Sequence, residues 1–284
     1  METTVSGRNG EVVISGDKET VMIGERINPT GKKRLAAALK EGDLEVVRRE
    51  AEAQVEAGAR ILDVNVVASE VDEVSVLPRA VETVMAATGV PLCIDINNPA
   101  ALKEALRVYE GKPIVNSVSG EEKSLNEVLP LVKEYGTAVI GLTIDDKGIP
   151  KTAEERVRVA RRIAEKAEEY GIPGEDVIID CLALSLGSDD KAALVTLEAV
   201  RRVKDELGLN QTLGASNISF GLPDRQVVNA AFLAMALAAG VTCPTVDPAK
   251  ARSTILAVDL ILGRDRFAQR YIKGYRERVS RSAG

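Results

Sequence analysis

The segment GASNISFG, residues 214–221, places a serine and an asparagine between glycines, after a short apolar run and before a long alanine-rich run of helical character. This arrangement is typical of a strand-to-helix turn, and its glycines would let the backbone lie close to a ligand. The sequence contains no histidine, the side chain that most often transfers protons near neutral pH. Any proton transfer at this turn must therefore proceed without an imidazole group.

Two carboxylates lie inside apolar runs rather than after them. Asp63 is the third residue of ILDVN, and Asp180 is the third residue of IIDCL. A buried carboxylate costs several kcal/mol unless it has partners. These two residues are therefore stronger candidates for a binding role than a carboxylate in a loop.

Polar residues also follow most of the remaining apolar runs. Carboxylates and amides dominate this set, and basic residues are nearly absent from it apart from Arg26. Such acceptors favour a planar, neutral heterocycle rich in N–H donors, because a carboxylate accepts two parallel hydrogen bonds from an amino-pyrimidinone edge. The set consists of Glu25, Asn28, Asn65, Asp95, Asn97, Asn98, Asn116, Asp145, Ser216, Asn217 and Asp247.

The same polar residues are also compatible with helix capping and with metal binding. Aspartate and asparagine at strand ends often cap the following helix. Four aspartates also suffice for a Mg²⁺ site, since oxygen-only sites need no fixed spacing; they are Asp63, Asp95, Asp180 and Asp247. The three cysteines are far apart and have no CxxC spacing, so we interpret them as buried thiols and expect no bound metal.

Eight short β-rich runs alternate with amphipathic stretches of helical period. This alternation indicates parallel pairing, and eight such units in 284 residues predict an α/β fold with a single (β/α)₈ TIM barrel. A doubly wound open sheet is the alternative, but the sequence has neither a GxGxxG nor a GxxxxGKS/T turn. In the barrel, residues at the carboxyl ends of the strands carry the chemistry. The predicted strands are residues 21–27, 59–66, 90–96, 112–118, 137–144, 176–183, 211–216 and 241–246.

We expect one domain, because no linker-like or low-complexity segment divides the chain. Asn9 and Gly10 lie between short apolar pieces, the signature of a tight hairpin turn. The hairpin is expected to plug the amino-terminal face of the barrel. Within the domain, residues 1–284, we assign 1–18 to the hairpin, 19–265 to the barrel and 266–284 to a C-terminal helix and tail.

The composition argues against two classes of partner. A net charge of −6, with three phenylalanines and five tyrosines, gives no footprint for nucleic acid. The most apolar run, VVNAAFLAMALAAGV, is too short to span a bilayer. The first sixteen residues lack the apolar core of a signal peptide. We therefore expect a cytoplasmic protein without nucleic-acid or membrane partners.

Seven segments, taken together and in order, resemble the pterin-binding barrel family. Within it they are most similar to the methyltetrahydrofolate:corrinoid-protein methyltransferases, and the resemblance covers about residues 20–270. The segments are IGERINPTG, ILDVNV, LCIDINN, IVNSVSGE, IGLTIDDKGIPKTAEER, IIDCL and GASNISFG.

This resemblance implies a pterin-binding barrel whose substrate is 5-methyltetrahydrofolate or tetrahydrofolate. It implies that Asn217 reaches N5, the atom that bears the methyl group, and is the catalytic residue. LCIDINN has Ile96 where the family commonly has a small hydroxyl residue, which leaves the roles of Asp95 and Asn97 open. The remaining pterin contacts are assigned by resemblance to Asp63, Asn98, Asn116, Asp180, Gly214, Ser216 and Arg225.

The second substrate implied by the resemblance is a corrinoid, a cobalamin carried by a partner protein. A DxHxxG corrinoid motif cannot exist in a sequence without histidine, and 284 residues leave no room for a cobalamin domain beside the barrel. The direction of methyl transfer stays open, and the family suggests a homodimer.

Three alternative functions also stay open. A dihydropteroate synthase-like condensing enzyme would need a basic residue that GASNISFG lacks. A non-catalytic pterin-binding subunit would keep Asp63 and Asp180 without needing Asn217. A zinc-dependent thiol methyltransferase would need converging cysteines, which three scattered thiols hardly supply.

Overall fold

The structure is a computed structural model that describes residues 1–282. It begins with an antiparallel hairpin of β1 (Glu2–Gly7) and β2 (Gly10–Ser15). Gly10, the first residue of β2 after the turn, has φ +120°, which L-residues with a side chain rarely adopt. The hairpin predicted from the Asn9-Gly10 pair is therefore confirmed.

Eight parallel strands follow and form one sheet that curls into a barrel in the described part of the chain. Seven of them keep chain order across the sheet, and the eighth pairs with the first. The remaining seam is joined by a bridge between Gly214 and Thr245 and by a hydrogen bond of 3.0 Å from Thr245 N to Leu213 O. The predicted (β/α)₈ barrel is confirmed. Its strands are β3 (Ile23–Ile27), β4 (Ile61–Asn65), β5 (Leu92–Asp95), β6 (Ile114–Ser119), β7 (Ala138–Leu142), β8 (Val177–Asp180), β9 (Asn210–Thr212) and β10 (Thr245–Val246).

The helices surround the sheet, and the helix after β7 shows why the sequence forms them. It begins with the expected capping box, in which Thr152 Oγ accepts from Glu155 N at 3.2 Å and the Glu155 carboxylate accepts from Thr152 N at 3.3 Å. Its buried residues Val157, Ala160 and Ile163 then recur on one face. Within residues 1–282 no helix combines the length and apolar character needed to cross a membrane. The helices are α1 (Lys33–Glu41), α2 (Glu45–Glu56), α3 (Glu73–Thr88), α4 (Pro99–Val108), α5 (Glu122–Tyr135), α6 (Ala153–Glu169), α7 (Ala192–Leu207), α8 (Arg225–Ala239), α9 (Pro248–Ile261) and α10 (Gln269–Ser282).

The barrel interior has an apolar lower layer and a polar upper layer. Alternate residues of a strand face the same side, so an inward residue of the lower layer is followed two positions later by one of the upper layer. In β4, Ile61 belongs to the inner apolar cluster and Asp63 lines the opening above it. The same step occurs from Ile23 to Glu25, Cys93 to Asp95, Ile114 to Asn116 and Ile178 to Asp180.

The hairpin closes the lower end of this interior, as expected. Val5, Val12 and Ile14 pack into the same cluster as the lower layer. The buried amide of Asn210, at the start of β9, donates to Thr3 Oγ at 2.9 Å and to Ile14 O at 3.0 Å. The hairpin is therefore a fixed part of the barrel core.

The C-terminal helix is tied to the barrel by buried polar contacts. The fully buried Asp259 of α9 accepts from Thr20 Oγ at 2.6 Å and from Arg270 Nη1 at 3.0 Å. The predicted C-terminal helix is confirmed by α10. The last part of the predicted tail, residues 283–284, lies outside the described residues.

Candidate functional site

A cavity of about 690 Å³ opens at the carboxyl ends of the barrel strands. The polar upper layer forms part of its lining, and α8 and the GASNISFG turn form another part. Seven of the eight site residues named from the sequence line this cavity. They are Asp63, Asn116, Asp180, Gly214, Ser216, Asn217 and Arg225.

Asn98, the eighth, lies outside the cavity lining. It is the N-cap of α4, and its Oδ1 accepts from Ala100 N at 3.1 Å and from Ala101 N at 3.4 Å. These bonds satisfy N–H groups at the helix start. Asp95, whose role the sequence left open, lines the cavity instead. The structure thus gives the helix cap to Asn98 and the place in the cavity to Asp95.

Two carboxyl groups of the cavity are each held by an asparagine amide. Asn116 Nδ2 donates to Asp63 Oδ1 at 3.0 Å, and Asn65 Nδ2 donates to Asp95 Oδ2 at 2.8 Å. Burial raises the pKa of both carboxyls, and that of Asp63 lies well above its usual value, with the nearby Asp95 adding to the rise. The amide partners offset part of the cost of keeping these groups in the barrel interior.

Asp180 ends β8, and its Oδ1 accepts from Leu182 N at 2.7 Å. Burial raises the pKa of Asp180 to about 6, while the bond from Leu182 and the positive charge of Arg156 act in the opposite direction. The group is therefore mostly ionised at neutral pH. An ionised carboxylate in this place is suited to accept two parallel N–H donors.

The loop after Asp180 is held by a buried arginine for which the sequence gives no distinguishing signal. Arg156 of α6 is 1% exposed, and its Nη1 donates to Cys181 O at 2.7 Å and to Leu182 O at 2.8 Å. Leu182 has φ +62°, a conformation that costs a non-glycine residue about 1–3 kcal/mol. Arg156 therefore stabilises the strained loop that presents an N–H to Asp180.

The GASNISFG turn is a short 3₁₀ helix that holds Asn217 at the cavity wall. A Cβ at Gly214 would lie 3.0 Å from Asn217 Nδ2, so the glycine leaves room for this amide. Arg225 Nη2 donates to Ser216 O at 2.8 Å, and its Nε donates to Ser219 Oγ at 3.0 Å. These contacts fasten the turn to the start of α8, beside the exposed Asn217 side chain.

The cavity also contains residues to which the family resemblance assigns no pterin contact. Glu25 accepts hydrogen bonds from Ser216 Oγ, and Lys32 Nζ donates to Arg26 O at 2.5 Å. The signal for Glu25 was its position two residues after the inward-facing Ile23. Sequence reasoning placed it at a strand end without assigning it to the site.

The cavity aspartates bear on the metal site that the sequence left open. In the described residues, no three or more histidine, cysteine, aspartate or glutamate side chains are grouped to hold a metal ion. All three cysteines are buried and free. The four aspartates suited by type to Mg²⁺ line the cavity together, and two of them bond to asparagine amides.

Comparison with known proteins gives this geometry a family. Residues 24–247 match the family described as pterin binding enzyme. The chain is 32% identical over 267 residues to a methylcorrinoid:tetrahydrofolate methyltransferase from Eubacterium limosum, covering 90% of this chain and 96% of that protein. It is 30% identical over 262 residues to methionine synthase from Mycobacterium tuberculosis, where it spans 22% of the longer protein.

Solved structures of dihydropteroate synthases share the fold. The enzyme from Stenotrophomonas maltophilia superposes with a TM-score of 0.64 at 19% identity, covering 90% of this chain and 96% of that one. The enzyme from Xanthomonas albilineans gives 0.66 at 18% identity, covering 92% and 99%. At these identities the likeness concerns the fold alone. The resemblance found in the sequence motifs is confirmed by the family match, and the chain belongs to the pterin-binding enzyme family.

Proposed function

We propose that this protein is a methyltransferase that moves a methyl group between N5 of tetrahydrofolate and the cobalt of a corrinoid. The observation that carries the proposal is the position of Asn217. Its side-chain amide lies at the wall of a cavity that also contains Asp63 and Asp180, as binding of a pterin edge next to a reacting nitrogen requires. The similarity to a protein named methylcorrinoid:tetrahydrofolate methyltransferase, over 90% of the chain, supports it.

In the proposed complex, ionised Asp180 accepts N–H donors of the amino-pyrimidinone edge, and Asp63 with Asn116 contacts the same ring. Asparagine has both donors and an acceptor, so it suits ring nitrogens of either kind. Asn98 lies outside the cavity lining, and its Oδ1 is engaged in capping α4, whereas Asp95 lines the cavity. We therefore assign to Asp95 the pterin contact that the resemblance gave to Asn98.

Asn217 acts on N5. A methyl group leaves N5 poorly, because its departure places electron density on the nitrogen. A hydrogen bond from the Asn217 amide to N5, or to a water beside it, stabilises this charge, and such assistance is typically worth about 10²–10⁴ in rate. Holding the pterin rigidly beneath an open mouth adds the advantage of proximity. The same contacts serve both directions of transfer.

The corrinoid is proposed to arrive on a partner protein, which approaches the open end of the barrel. A homodimer is also proposed, because α8 exposes the apolar side chains of Val227 and Met235. A monomer mass in light scattering at micromolar concentration would count against the dimer. The cytoplasmic location stays a prediction.

Dihydropteroate synthesis is the second candidate, favoured only by the shared fold. That reaction expels a pyrophosphate, which cations at the strand ends would stabilise. Beside the turn, the Arg225 guanidinium is engaged by Ser216 O and Ser219 Oγ. A pterin-binding subunit without activity would retain the carboxylates but have no use for Asn217.

The test mixes the protein with 5-methyltetrahydrofolate and cob(I)alamin and follows the loss of the cobalt(I) absorption band. We expect methylcobalamin formation by the wild type, a rate about 10²-fold or more lower for Asn217→Ala, and pterin binding by both. Asn126→Ala, an exposed asparagine on α5, serves as control. Pterin binding without turnover, in either direction and with any corrinoid carrier, would support the inactive subunit. No pterin binding would overturn the proposal.

A further inference from the structure

Glu25 lies beside an irregularity in β3. The register between β3 and β4 shifts between Gly24 and Ile27, and Gln54 Oε1 on α2 accepts from Arg26 N at 2.8 Å. A Cβ at Gly24 would lie 2.5 Å from Gln54 Oε1, so α2 packs this closely only against glycine. Bulges of this kind redirect side chains beside active sites. Here the bulge lies beside Glu25, which follows the inward-facing Ile23 by two residues and lines the cavity.

The contacts of Glu25 connect it to the turn that carries Asn217. Ser216 Oγ lies 3.2 Å and 3.3 Å from the two carboxylate oxygens of Glu25, and Ser216 is the residue before Asn217. The neighbouring Arg26 directs its guanidinium elsewhere, to Glu50 at 3.4 Å and to Asp247 at 3.9 Å. Glu25 is therefore bonded to a hydroxyl group and not neutralised by a close ion pair with Arg26.

The charges around Glu25 decide how readily it holds a proton. Burial raises the pKa of its carboxyl, and Asp247 at the start of α9 adds to the rise. The bond from Ser216 and the charges of Lys32 and Arg26 act in the opposite direction. Two further acids face this region: Asp63 on β4, whose pKa is raised in part by Glu25, and Glu50 on α2, which pairs with Arg26.

We propose that Glu25 is the group that exchanges a proton with N5 during methyl transfer. This inference rests on the proposed function. Asn217 donates a hydrogen bond, but an amide does not ionise near neutral pH and so cannot supply a net proton. Glu25 is an ionisable group in the same cavity, bonded to the residue next to Asn217.

The step balances in both directions. When methyl leaves folate, the N5–CH₃ bond breaks, cobalt(I) supplies the electron pair of the new Co–CH₃ bond, and N5 takes the proton of the Glu25 carboxylic acid. When methyl is transferred to folate, the N5 electron pair forms the new N–CH₃ bond, the Co–CH₃ pair stays on cobalt, and the N5 proton passes to the Glu25 carboxylate. Solvent then restores the starting state of Glu25.

The test is the pH profile of single-turnover transfer, in both directions, for wild type and Glu25→Gln. In the wild type, demethylation of folate should slow as pH rises through the pKa of Glu25, and methylation should slow as pH falls through it. In Glu25→Gln we expect a rate about 10²–10⁴-fold lower, and the pH-dependent limb of the profile that reflects Glu25 should be lost. The affinity for tetrahydrofolate, measured by calorimetry, should be unchanged. Titration of the substrates is common to both proteins, so the difference between profiles belongs to Glu25.

Two further variants separate proton exchange from a structural role. Glu25→Asp keeps an ionisable group, so its methyl-transfer rate should be lower but should still change with pH as in the wild type. Glu50→Gln removes a carboxylate outside the cavity and should keep the wild-type profile. An unchanged profile in Glu25→Gln, or loss of the limb in Glu50→Gln, overturns the inference while the proposed function stands. A wild type that transfers no methyl group overturns the proposed function, and the inference with it.

Discussion

The two ends of the barrel interior are built by the same strands and differ in almost every chemical respect. Ile61 and Ile178 lie in an apolar layer closed by the hairpin, whereas Asp63 and Asp180, two positions further along the same strands, line an open cavity. Strand alternation thus places the stabilising layer and the ligand-binding layer only two residues apart along each strand. The lower layer stabilises the fold, and the upper layer can then hold carboxyl groups at a cost in stability.

The comparison also shows how that cost is limited. Asp63 and Asp95 are each bonded by an asparagine amide, and Asp180 accepts a backbone N–H. At the lower end, the buried amide of Asn210 in β9 likewise donates hydrogen bonds to two groups of the hairpin, Thr3 Oγ and Ile14 O. These four polar side chains, at both ends of the interior, thus have hydrogen-bond partners within the protein.

The largest expected effect is a loss of stability when a carboxyl group, typical of the upper layer, is introduced into the lower layer. Ile14 is fully buried, and Ile14→Asp would place a carboxyl group there without a partner. We expect the free energy of unfolding to fall by about 4–5 kcal/mol or more, measured by urea denaturation. Ile14→Leu, the control, should cost less than about 1.5 kcal/mol. Equal losses for the two variants would contradict the description of an apolar lower layer.

The next effect is a pH dependence of stability that originates in the upper layer. The pKa of Asp180 is raised to about 6 in the folded protein, against about 3.9 when unfolded. Between these values the folded state binds more protons, so the free energy of unfolding falls as pH rises from about 4 to about 6.

Asp180→Asn has no carboxyl group to titrate at this position, so comparing its stability with that of the wild type at several pH values tests this prediction. Relative to wild type, its free energy of unfolding should increase across that interval by about 3 kcal/mol at most, followed by urea denaturation at several pH values. A parallel pH dependence for the two proteins would show that the pKa of Asp180 is not raised by burial.

The same substitution should weaken ligand binding. Hydrogen bonds to a charged acceptor are worth about 1.5–3 kcal/mol, so we expect Asp180→Asn to lower tetrahydrofolate affinity by about 10- to 100-fold, measured by calorimetry at pH 7. Asp145→Asn removes a loop carboxylate that lies outside the cavity lining and should bind normally. Normal binding by Asp180→Asn would remove Asp180 from the pterin site.

The smallest effect is expected at the rim of the cavity. Arg225 is exposed, and it fastens the turn through Ser216 O. Arg225→Ala should change the free energy of unfolding by less than about 0.5 kcal/mol, and lower the methyl-transfer rate by less than about tenfold. Arg202→Ala, at a surface ion pair on α7, should change neither. A larger loss of rate for Arg225→Ala would indicate that the guanidinium contacts substrate directly.

Much of the fold followed from local patterns. Alternating strand and helix periods predict the barrel, and the Asn9-Gly10 pair predicts the hairpin, because these features are set by neighbouring residues. The two carboxylates inside apolar runs, Asp63 and Asp180, were found for the same reason, since an aspartate in a buried strand is itself unusual. The barrel, the hairpin and both carboxylates lie where the sequence predicts them, whereas β9 and β10 are shorter than the predicted strands 211–216 and 241–246.

The rest of the site depends on contacts between distant segments. Arg156 is one of several arginines in a helix, and only the folded chain brings it to Leu182. Asn98 and Asp95 are three residues apart at the end of one strand, and the direction of each side chain decides between helix cap and cavity. The sequence places Glu25 at a strand end, but its contact with Ser216, which lies 191 residues further along the chain, exists only in the folded chain.

Closure of the lower end by the hairpin has a kinetic consequence. With Val5 and Ile14 packed against the strands, ligands enter and leave through the upper opening. A corrinoid carrier docked over that opening during transfer would trap the folate beneath it. We therefore expect an ordered sequence in which folate binds first and is released last. Product inhibition should then be competitive between the two folates and noncompetitive between folate and corrinoid.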